Sequence, residues 1–153
     1  MASSKPAIVL APGSFCKVSL YAEFVHLLHK AGYDRIEIVR MPSLGNRSPL
    51  PAATVDDDAD YVRQIITEVS NEGFDVILMA HSYGGIPASQ SVKGVSKKER
   101  EARGLKGGVR RILYTTAVVP DLGGDLVSVM GNNTPDSIQI EASPLVPSPS
   151  QSP

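Results

Sequence analysis

The sequence predicts an α/β fold in three layers, with a parallel sheet between layers of helices. Three observations indicate this fold. Short, continuous apolar runs alternate along most of the chain with segments whose apolar residues recur at helical spacing. Glycines and prolines separate the two kinds of segment. With 153 residues, of which 42% are hydrophobic, the chain is long enough for one domain with a real core.

The first half of the chain supplies two predicted strands and two predicted helices. Ala7–Ala11 is a continuous apolar run, typical of a strand buried on both faces of a parallel sheet. A helical pattern follows, and residues 35–40 predict the second strand. Thr54 can cap the next helix, and the acidic residues of 56–60 are expected as charge at its positive end. The buried stripe of this helix is predicted to be Val62, Ile65, Ile66 and Val69.

The second half continues the alternation. Residues 76–80 predict a third strand, and a third helix is expected to begin near Gly85 and to continue to about Arg103. Two glycines then precede a fourth strand over residues 109–118. The prediction is therefore about four strands and three helices, connected by right-handed crossovers.

The chain is expected to divide into a folded part, residues 1–130, and an irregular or disordered tail, residues 131–153. Apolar periodicity fades after Pro120, and eight of the thirteen residues from 141 to 153 are serine or proline. Proline removes a backbone donor and fixes φ, so this composition does not build a helix or a central strand.

Composition argues against several classes of partner. Lys and Arg number 15 and Asp and Glu 16, giving a net charge of −1, so neither nucleic acid nor an anionic membrane surface is an expected partner. No apolar run approaches the roughly 20 residues of a membrane span. The single cysteine excludes an internal disulfide within this sequence. A cytoplasmic protein without metal or cofactor is the expectation.

The segment from Ala80 to Gly84 contains the candidate catalytic nucleophile. Its sequence, AHSYG, lies between a buried strand and the start of a helix, which is the context of a nucleophile elbow of the form G-x-S-x-G. The sharp turn is predicted to hold Ser82 in a strained backbone conformation and to expose its hydroxyl. The flanking strand and helix come close together, which favours small residues two positions before and after; Ala80 departs from the pattern by one methyl group.

A serine that attacks a carbonyl also needs donors for the oxyanion that forms. The backbone N–H of Tyr83 is one predicted donor, because it lies at the N-terminus of the helix. The second is expected from the loop after the first strand, where Gly13 lets the backbone come close. The N–H of Ser14 is the preferred candidate there, with that of Phe15 in reserve.

These segments resemble the α/β-hydrolase family, in particular its small esterase, lactonase and hydroxynitrile-lyase branch. The resemblance rests on VLAPGSF at 9–15, AHSYGG at 80–85 and LYTTAVVP at 113–120, and it covers roughly residues 6–130. It implies that the chain forms the N-terminal part of the fold, with the four strands in the spatial order second, first, third, fourth. Pro12 stands where the family usually has histidine.

In that family an acid and then a histidine follow the serine along the chain. No histidine follows Ser82 in this sequence, so the resemblance implies a C-terminally truncated member that lacks the base of the triad. Loss of the base is expected to cost about a thousandfold or more in rate, with residual turnover from the oxyanion hole. Asp121 is a candidate acid, because some family members carry the acid there; a turn residue is the alternative.

Other polar residues have less specific interpretations. His81 adjoins the serine, but neighbours on so sharp a turn point apart, so elbow packing is the expected role and general base the alternative. His26 and His29 lie off the apolar stripe of the first helix and are expected in solvent. Cys16 is expected to fill space as a small apolar residue.

Three functions remain open from the sequence. The first is a serine hydrolase that acts through an acyl-enzyme on a small-molecule carbonyl substrate, an ester, lactone or amide, and is impaired without its histidine. The second is a catalytically silent binding protein with the same fold. The third is a lyase that acts on a cyanohydrin-like substrate. The fourth strand is also predicted to lie at a sheet edge, which favours self-association.

Overall fold

The computed structural model describes residues 5–124 and Val129. Within this part of the chain lie four strands, four α-helices and three 3₁₀ turns. The strands are β1 (Ala7–Ala11), β2 (Ile36–Ile38), β3 (Asp75–His81) and β4 (Gly108–Thr115). The helices are α1 (Ala22–Lys30), α2 (Val55–Asn71), α3 (Gly85–Ser91) and α4 (Lys97–Glu101), and the 3₁₀ turns are Val18–Tyr21, Pro42–Leu44 and Ser82–Gly84.

The strands form one parallel sheet in the order β2-β1-β3-β4, which confirms the predicted fold class and strand order. Leu10 of β1 pairs with Ile38 on one side and with Met79 on the other. Every residue of β1 is buried, as its continuous apolar sequence predicts. Right-handed crossovers place α1 on one face of the sheet and both α2 and α3 on the other.

The main core lies between the sheet and α2. Alternate residues of the two central strands face this helix, so the sheet contributes one side chain in every two. The contributing residues of β1 and β3 are Ala7, Val9, Ala11, Val76, Leu78 and Ala80. Of the predicted helical stripe, Val62, Ile66 and Val69 are buried and Ile65 is partly buried against the core.

The start of α2 is fixed by a reciprocal cap, as predicted for Thr54. The Thr54 hydroxyl accepts the Asp57 N–H at 3.2 Å, and an Asp57 carboxylate oxygen accepts the Thr54 N–H at 2.8 Å. Two backbone donors at the helix terminus are thereby satisfied. Asp56, Asp57 and Asp58 all lie in the first turn of α2, as expected for charge at the positive end of the helix. Asp56 and Asp57 are solvent-accessible there, whereas Asp58 is fully buried.

The third predicted helix is two helices. The first, α3, ends at Ser91, the chain turns at Gly94 with φ of 80°, and Ser96 then caps α4 through a box with Glu99. A left-handed glycine followed by a capping serine interrupts the helix, which explains the difference. Strand β4 ends at Thr115, three residues before the predicted end. In the described part of the chain, no helix combines the length and the apolar character needed to cross a membrane.

Strand β4 lies at the edge of the sheet in the described part of the chain. The side chains of Leu113 and Tyr114 are each 43% exposed on this strand. An edge strand with unpaired backbone groups and apolar side chains favours pairing with another chain. Self-association, predicted from the sequence, therefore stays a prediction with a specific surface.

We expect the sedimentation coefficient of the chain to rise with protein concentration. Leu113→Lys should weaken this association, because it adds charge to the exposed strand. Leu105→Lys is the matched control, since Leu105 is equally exposed at 43% but lies in the loop before β4. A concentration-independent monomer, or equal effects of the two lysines, would contradict the prediction.

Candidate active site

Ser82 lies at the junction of β3 and the 3₁₀ turn that leads into α3. Its φ of 53° is in the left-handed region, where an L-residue other than glycine is strained by roughly 1–2 kcal/mol. The Ser82 carbonyl accepts N–H groups from Gly85 and, at 2.9 Å, from Val118. These bonds hold the backbone in the strained conformation that the sequence predicts for this turn.

Two glycines after Ser82 allow the elbow to approach neighbouring backbone. A Cβ on Gly84 would lie 2.2 Å from the Ala11 carbonyl oxygen, and one on Gly85 would lie 2.1 Å from that of Val118. Both distances are far below van der Waals contact, so any side chain there forces the backbone apart. The elbow is thus packed between the segments that follow β1 and β4.

The loop after β1 forms a turn beside Ser82. The Cys16 N–H donates to the Gly13 carbonyl at 3.2 Å, and Phe15 within this turn has φ of 59° and a side chain that is 90% exposed. A Cβ on Gly13 would lie only 3.1 Å from Ser82 Cβ. Among the described residues, the backbone N–H groups of Ser14 and Tyr83 have no hydrogen-bond acceptor.

Strained residues cluster at one end of the sheet. Phe15, Ser82 and Thr116 have positive φ, and they follow β1, β3 and β4 respectively. The chain proceeds from β1 to β2 in one direction and from β3 to β4 in the other, so the strand order reverses between β1 and β3. Ligands of open α/β sheets bind outside the carboxyl ends of the strands at such a reversal.

A groove of about 700 Å³ opens beside the Gly13–Cys16 turn. Its wall is mainly apolar and is completed by the side chains of Lys17 and Arg40, and the Pro42–Leu44 turn forms its far side. The apolar lining consists of Phe15, Cys16, Val18, Val39, Met41 and Leu44. Cys16 therefore faces this groove and is partly exposed, which differs from the expected packing role.

The His81 side chain is engaged away from the serine hydroxyl. Its Nδ1 lies 2.9 Å from the Tyr21 hydroxyl, which also accepts the Gly13 N–H at 3.1 Å. The two rings meet edge to face, with centroids 6.0 Å apart. Burial is the main cause that raises the pKa of Tyr21, so the phenol stays protonated at neutral pH.

This arrangement agrees with the packing role expected for His81. It also identifies Tyr21 as a support of the Gly13 loop, a contact that helical spacing alone does not predict. No hydrogen bond joins Ser82 Oγ to another residue in the described part of the chain. Within that part, no three His, Cys, Asp or Glu side chains form a group able to hold a metal ion.

Comparisons with known proteins agree with this geometry. A family model described as the alpha/beta hydrolase family matches residues 8–150. The chain is 35% identical over 128 residues to a probable hydrolase of Phoma sp., an alignment that covers 84% of this chain and 49% of that protein. It is also 35% identical over 135 residues to an alpha/beta hydrolase of Aspergillus novofumigatus, covering 88% and 52% respectively.

The chain belongs to the alpha/beta hydrolase family. It spans about half the length of the curated relatives that it matches. Among solved structures, the RedJ thioesterase of the prodiginine biosynthetic pathway in Streptomyces coelicolor has the same fold, with a TM-score of 0.50 and 19% identity. That alignment covers 74% of this chain and 42% of the thioesterase.

The remaining candidate residues of this alpha/beta hydrolase, Asp121, His26 and His29, all lie on the surface. Asp121 is exposed, and its carbonyl accepts the Gly124 N–H at 2.8 Å, so it closes a turn; its role as a catalytic acid stays a prediction. His26 and His29 are exposed on α1, as expected. The predicted tail, residues 131–153, lies outside the described residues.

Asp58 is a residue of this alpha/beta hydrolase site that the sequence argument missed. Its carboxylate accepts the Tyr83 hydroxyl at 2.8 Å, and Tyr83 directly follows Ser82. A signal for its burial was present, because Asp58, Val62 and Ile66 are spaced four residues apart along α2. The buried stripe therefore extends one turn further toward the N-terminus than apolar residues alone indicate.

Proposed function

We propose that this chain is a serine hydrolase that acts on a small ester, lactone or amide. Ser82 Oγ attacks the carbonyl carbon, and the N–H groups of Tyr83 and Ser14 bind the oxyanion. The leaving group departs to give an acyl-enzyme, which water then hydrolyses. The observation that carries the proposal is the strained Ser82, with φ of 53°, adjacent to the Gly13–Cys16 turn, where the Ser14 N–H has no acceptor among the described residues.

Activation of the serine is the weak step of this mechanism. No histidine follows Ser82 in the sequence, and the His81 ring bonds to Tyr21 instead. Without a histidine base, hydroxide from the solvent takes the proton of the Ser82 hydroxyl. Acylation should therefore be slower by about a thousandfold or more than in a family member with a complete triad.

Covalent labelling by a neutral fluorophosphonate tests the proposal. In this reaction an Oγ–P bond forms, the P–F bond breaks, fluoride leaves and the serine proton goes to hydroxide. We expect a single phosphonyl adduct in the intact mass, located on Ser82 by peptide mass spectrometry. An unlabelled chain, or an adduct only on other residues, would overturn the proposal.

A second candidate is a catalytically silent binding protein. The Ser82 hydroxyl, which has no hydrogen-bond partner among residues 5–124, favours this alternative. It predicts no adduct on Ser82 under conditions in which a trypsin-like standard is fully labelled. The groove of about 700 Å³ would then serve binding alone.

The pH dependence of labelling identifies the base. If hydroxide takes the proton, the rate should rise about tenfold per pH unit between about pH 7 and pH 9. The measurement is the pseudo-first-order rate of adduct formation on Ser82, corrected for probe hydrolysis. A rate that levels off as the pH rises in the wild type, but not in His81→Gln, would instead assign the base to His81.

A further inference from the structure

Asp58 is a fully buried carboxylate whose three donors converge from two other segments. Its Oδ1 accepts the Ser43 N–H at 2.9 Å, and its Oδ2 accepts the Ser43 hydroxyl at 2.6 Å and the Tyr83 hydroxyl at 2.8 Å. The side chain has no exposed surface. A buried carboxylate without partners would be strongly destabilising, so these donors are required for it to remain there.

The two donor residues belong to the candidate site. Tyr83 contributes the proposed oxyanion N–H, and its backbone lies within the Ser82–Gly84 turn. Ser43 lies in the Pro42–Leu44 turn, which forms one wall of the groove beside Gly13–Cys16. Asp58 therefore connects the elbow, the groove wall and α2 through one side chain.

Stability alone does not explain this choice of residue. Burying a charge costs free energy that even good partners only partly offset, and well-packed apolar residues of similar volume are commonly as stable. The neighbouring Asp57 shows what a purely local role looks like, since it is solvent-accessible and completes the helix cap. Asp58 instead uses all three of its hydrogen bonds on the two loops that surround the site.

We propose that Asp58 is a positioning residue that orients the oxyanion hole through Tyr83. The rigid Tyr83 ring connects Asp58 to the Tyr83 backbone. Asp58 accepts the hydroxyl at one end of the side chain, and the backbone at the other end carries the N–H that would bind the oxyanion. The two hydrogen bonds from Ser43 to Asp58 fix the groove wall relative to Tyr83. This inference rests on the proposed hydrolase function and names a further residue for it.

The Tyr83 hydroxyl remains a donor throughout the neutral and mildly alkaline range. Burial, followed by the hydrogen bond to Asp58, raises the pKa of this phenol well above its ordinary value. The hydrogen bond from Tyr83 to Asp58 therefore persists over the pH range in which hydroxide-dependent labelling is measured. Loss of the bond requires a change of residue, which makes substitution the appropriate test.

The test compares labelling kinetics of the full chain with those of Tyr83→Phe, Asp58→Asn and the double variant. Tyr83→Phe removes one hydroxyl and keeps the ring and the backbone N–H. We expect the limiting rate of Ser82 phosphonylation to fall about tenfold in each single variant, a fraction of the hundredfold or more that follows loss of an oxyanion donor. The concentration of probe at half-maximal rate should change less than twofold.

The double variant should be no slower than the slower single variant, because both changes break the same connection. Asp60→Asn is the matched control. Asp60 lies two residues after Asp58 in α2, its side chain is 73% exposed, and it pairs only with Arg63 within the described residues. It should label at the wild-type rate. All rates are measured well below each variant's unfolding temperature and are expressed per folded molecule.

The outcomes separate the alternatives. Wild-type rates per folded molecule in Tyr83→Phe, with only a lowered unfolding temperature, would mean that the network is structural and would overturn the inference. A slow Asp58→Asn beside a normal Tyr83→Phe would overturn it as well. If Asp58→Asn does not fold, Tyr83→Phe decides alone. If wild type itself gives no Ser82 adduct, the proposed function fails first and this inference with it.

Discussion

Ser82→Ala should abolish phosphonylation of the elbow peptide completely while leaving the fold intact. Alanine removes only the Oγ atom, and within the described residues no hydrogen bond of the fold uses that atom. The backbone bonds to the Ser82 carbonyl from Gly85 and Val118 remain. The free energy of unfolding should therefore change by less than about 0.5 kcal/mol, as for substitutions that disturb no packing.

Ser82→Gly provides an informative partner variant. It also removes the nucleophile, but it relieves the strain of φ at 53°, so the variant should be more stable than Ser82→Ala by about 1 kcal/mol. Urea unfolding measures this difference. A gain in stability on loss of the nucleophile would mean that the elbow conformation is kept at the expense of stability.

Ser48→Ala is the control for labelling, because Ser48 is an exposed serine in a loop remote from the elbow along the chain. It should label at the wild-type rate. Full labelling of Ser82→Ala would contradict the nucleophile assignment. Equal stabilities of the alanine and glycine variants would contradict the strain.

Gly84→Ala should produce a large loss of stability, because the elbow has no room for an added methyl group at this position. The added Cβ would lie 2.2 Å from the Ala11 carbonyl oxygen and 2.7 Å from the Pro12 carbonyl oxygen. Both are backbone atoms of the central strand and its loop, so rotation of a side chain cannot relieve the clash. We expect a loss of about 3 kcal/mol or more in the free energy of unfolding, at the upper end for overpacked sites.

Gly45→Ala is the matched control for this substitution. Its Cβ would lie 3.6 Å from the nearest non-neighbouring atom, which is ordinary contact, and the residue has no positive φ. Its effect on urea unfolding should be within about 0.5 kcal/mol. Similar losses in the two variants would show that the elbow does not press against β1 as the structure describes.

The sequence predicted the sheet because its signal is local. Strand β1 and residues 76–80 of β3 are unbroken apolar runs, and each crossover helix has a cap, a stripe or a closing glycine that can be located without knowing the fold. The split between α3 and α4 was missed, although Gly94 and the capping pair Ser96 and Glu99 were present, because helical propensity around them is high. At this point the glycine and the capping pair determine the structure, and the helical propensity of the surrounding residues does not.

The elbow was predictable for a similar reason, since AHSYG carries its own turn and its own small residues. The residues that support the site from elsewhere in the chain were not predictable. Tyr21 and Asp58 contact residues 60 and 25 positions away along the chain, and such pairings follow from the folded arrangement alone. Asp58 was also obscured by its neighbours, because an aspartate in an acidic run at a helix start is ordinarily solvated.

The position of the site on the central pair of strands has a consequence for how the molecule can vary. Ser82 and Gly13 follow β3 and β1, whereas β4 lies at one edge of the sheet in the described part of the chain. A strand added beside β4, from any source, would extend the sheet without altering the register between β1 and β3 that brings the elbow against the glycine turn. Chain length and nucleophile geometry are therefore separable properties, and selection or design can change one while the other stays fixed.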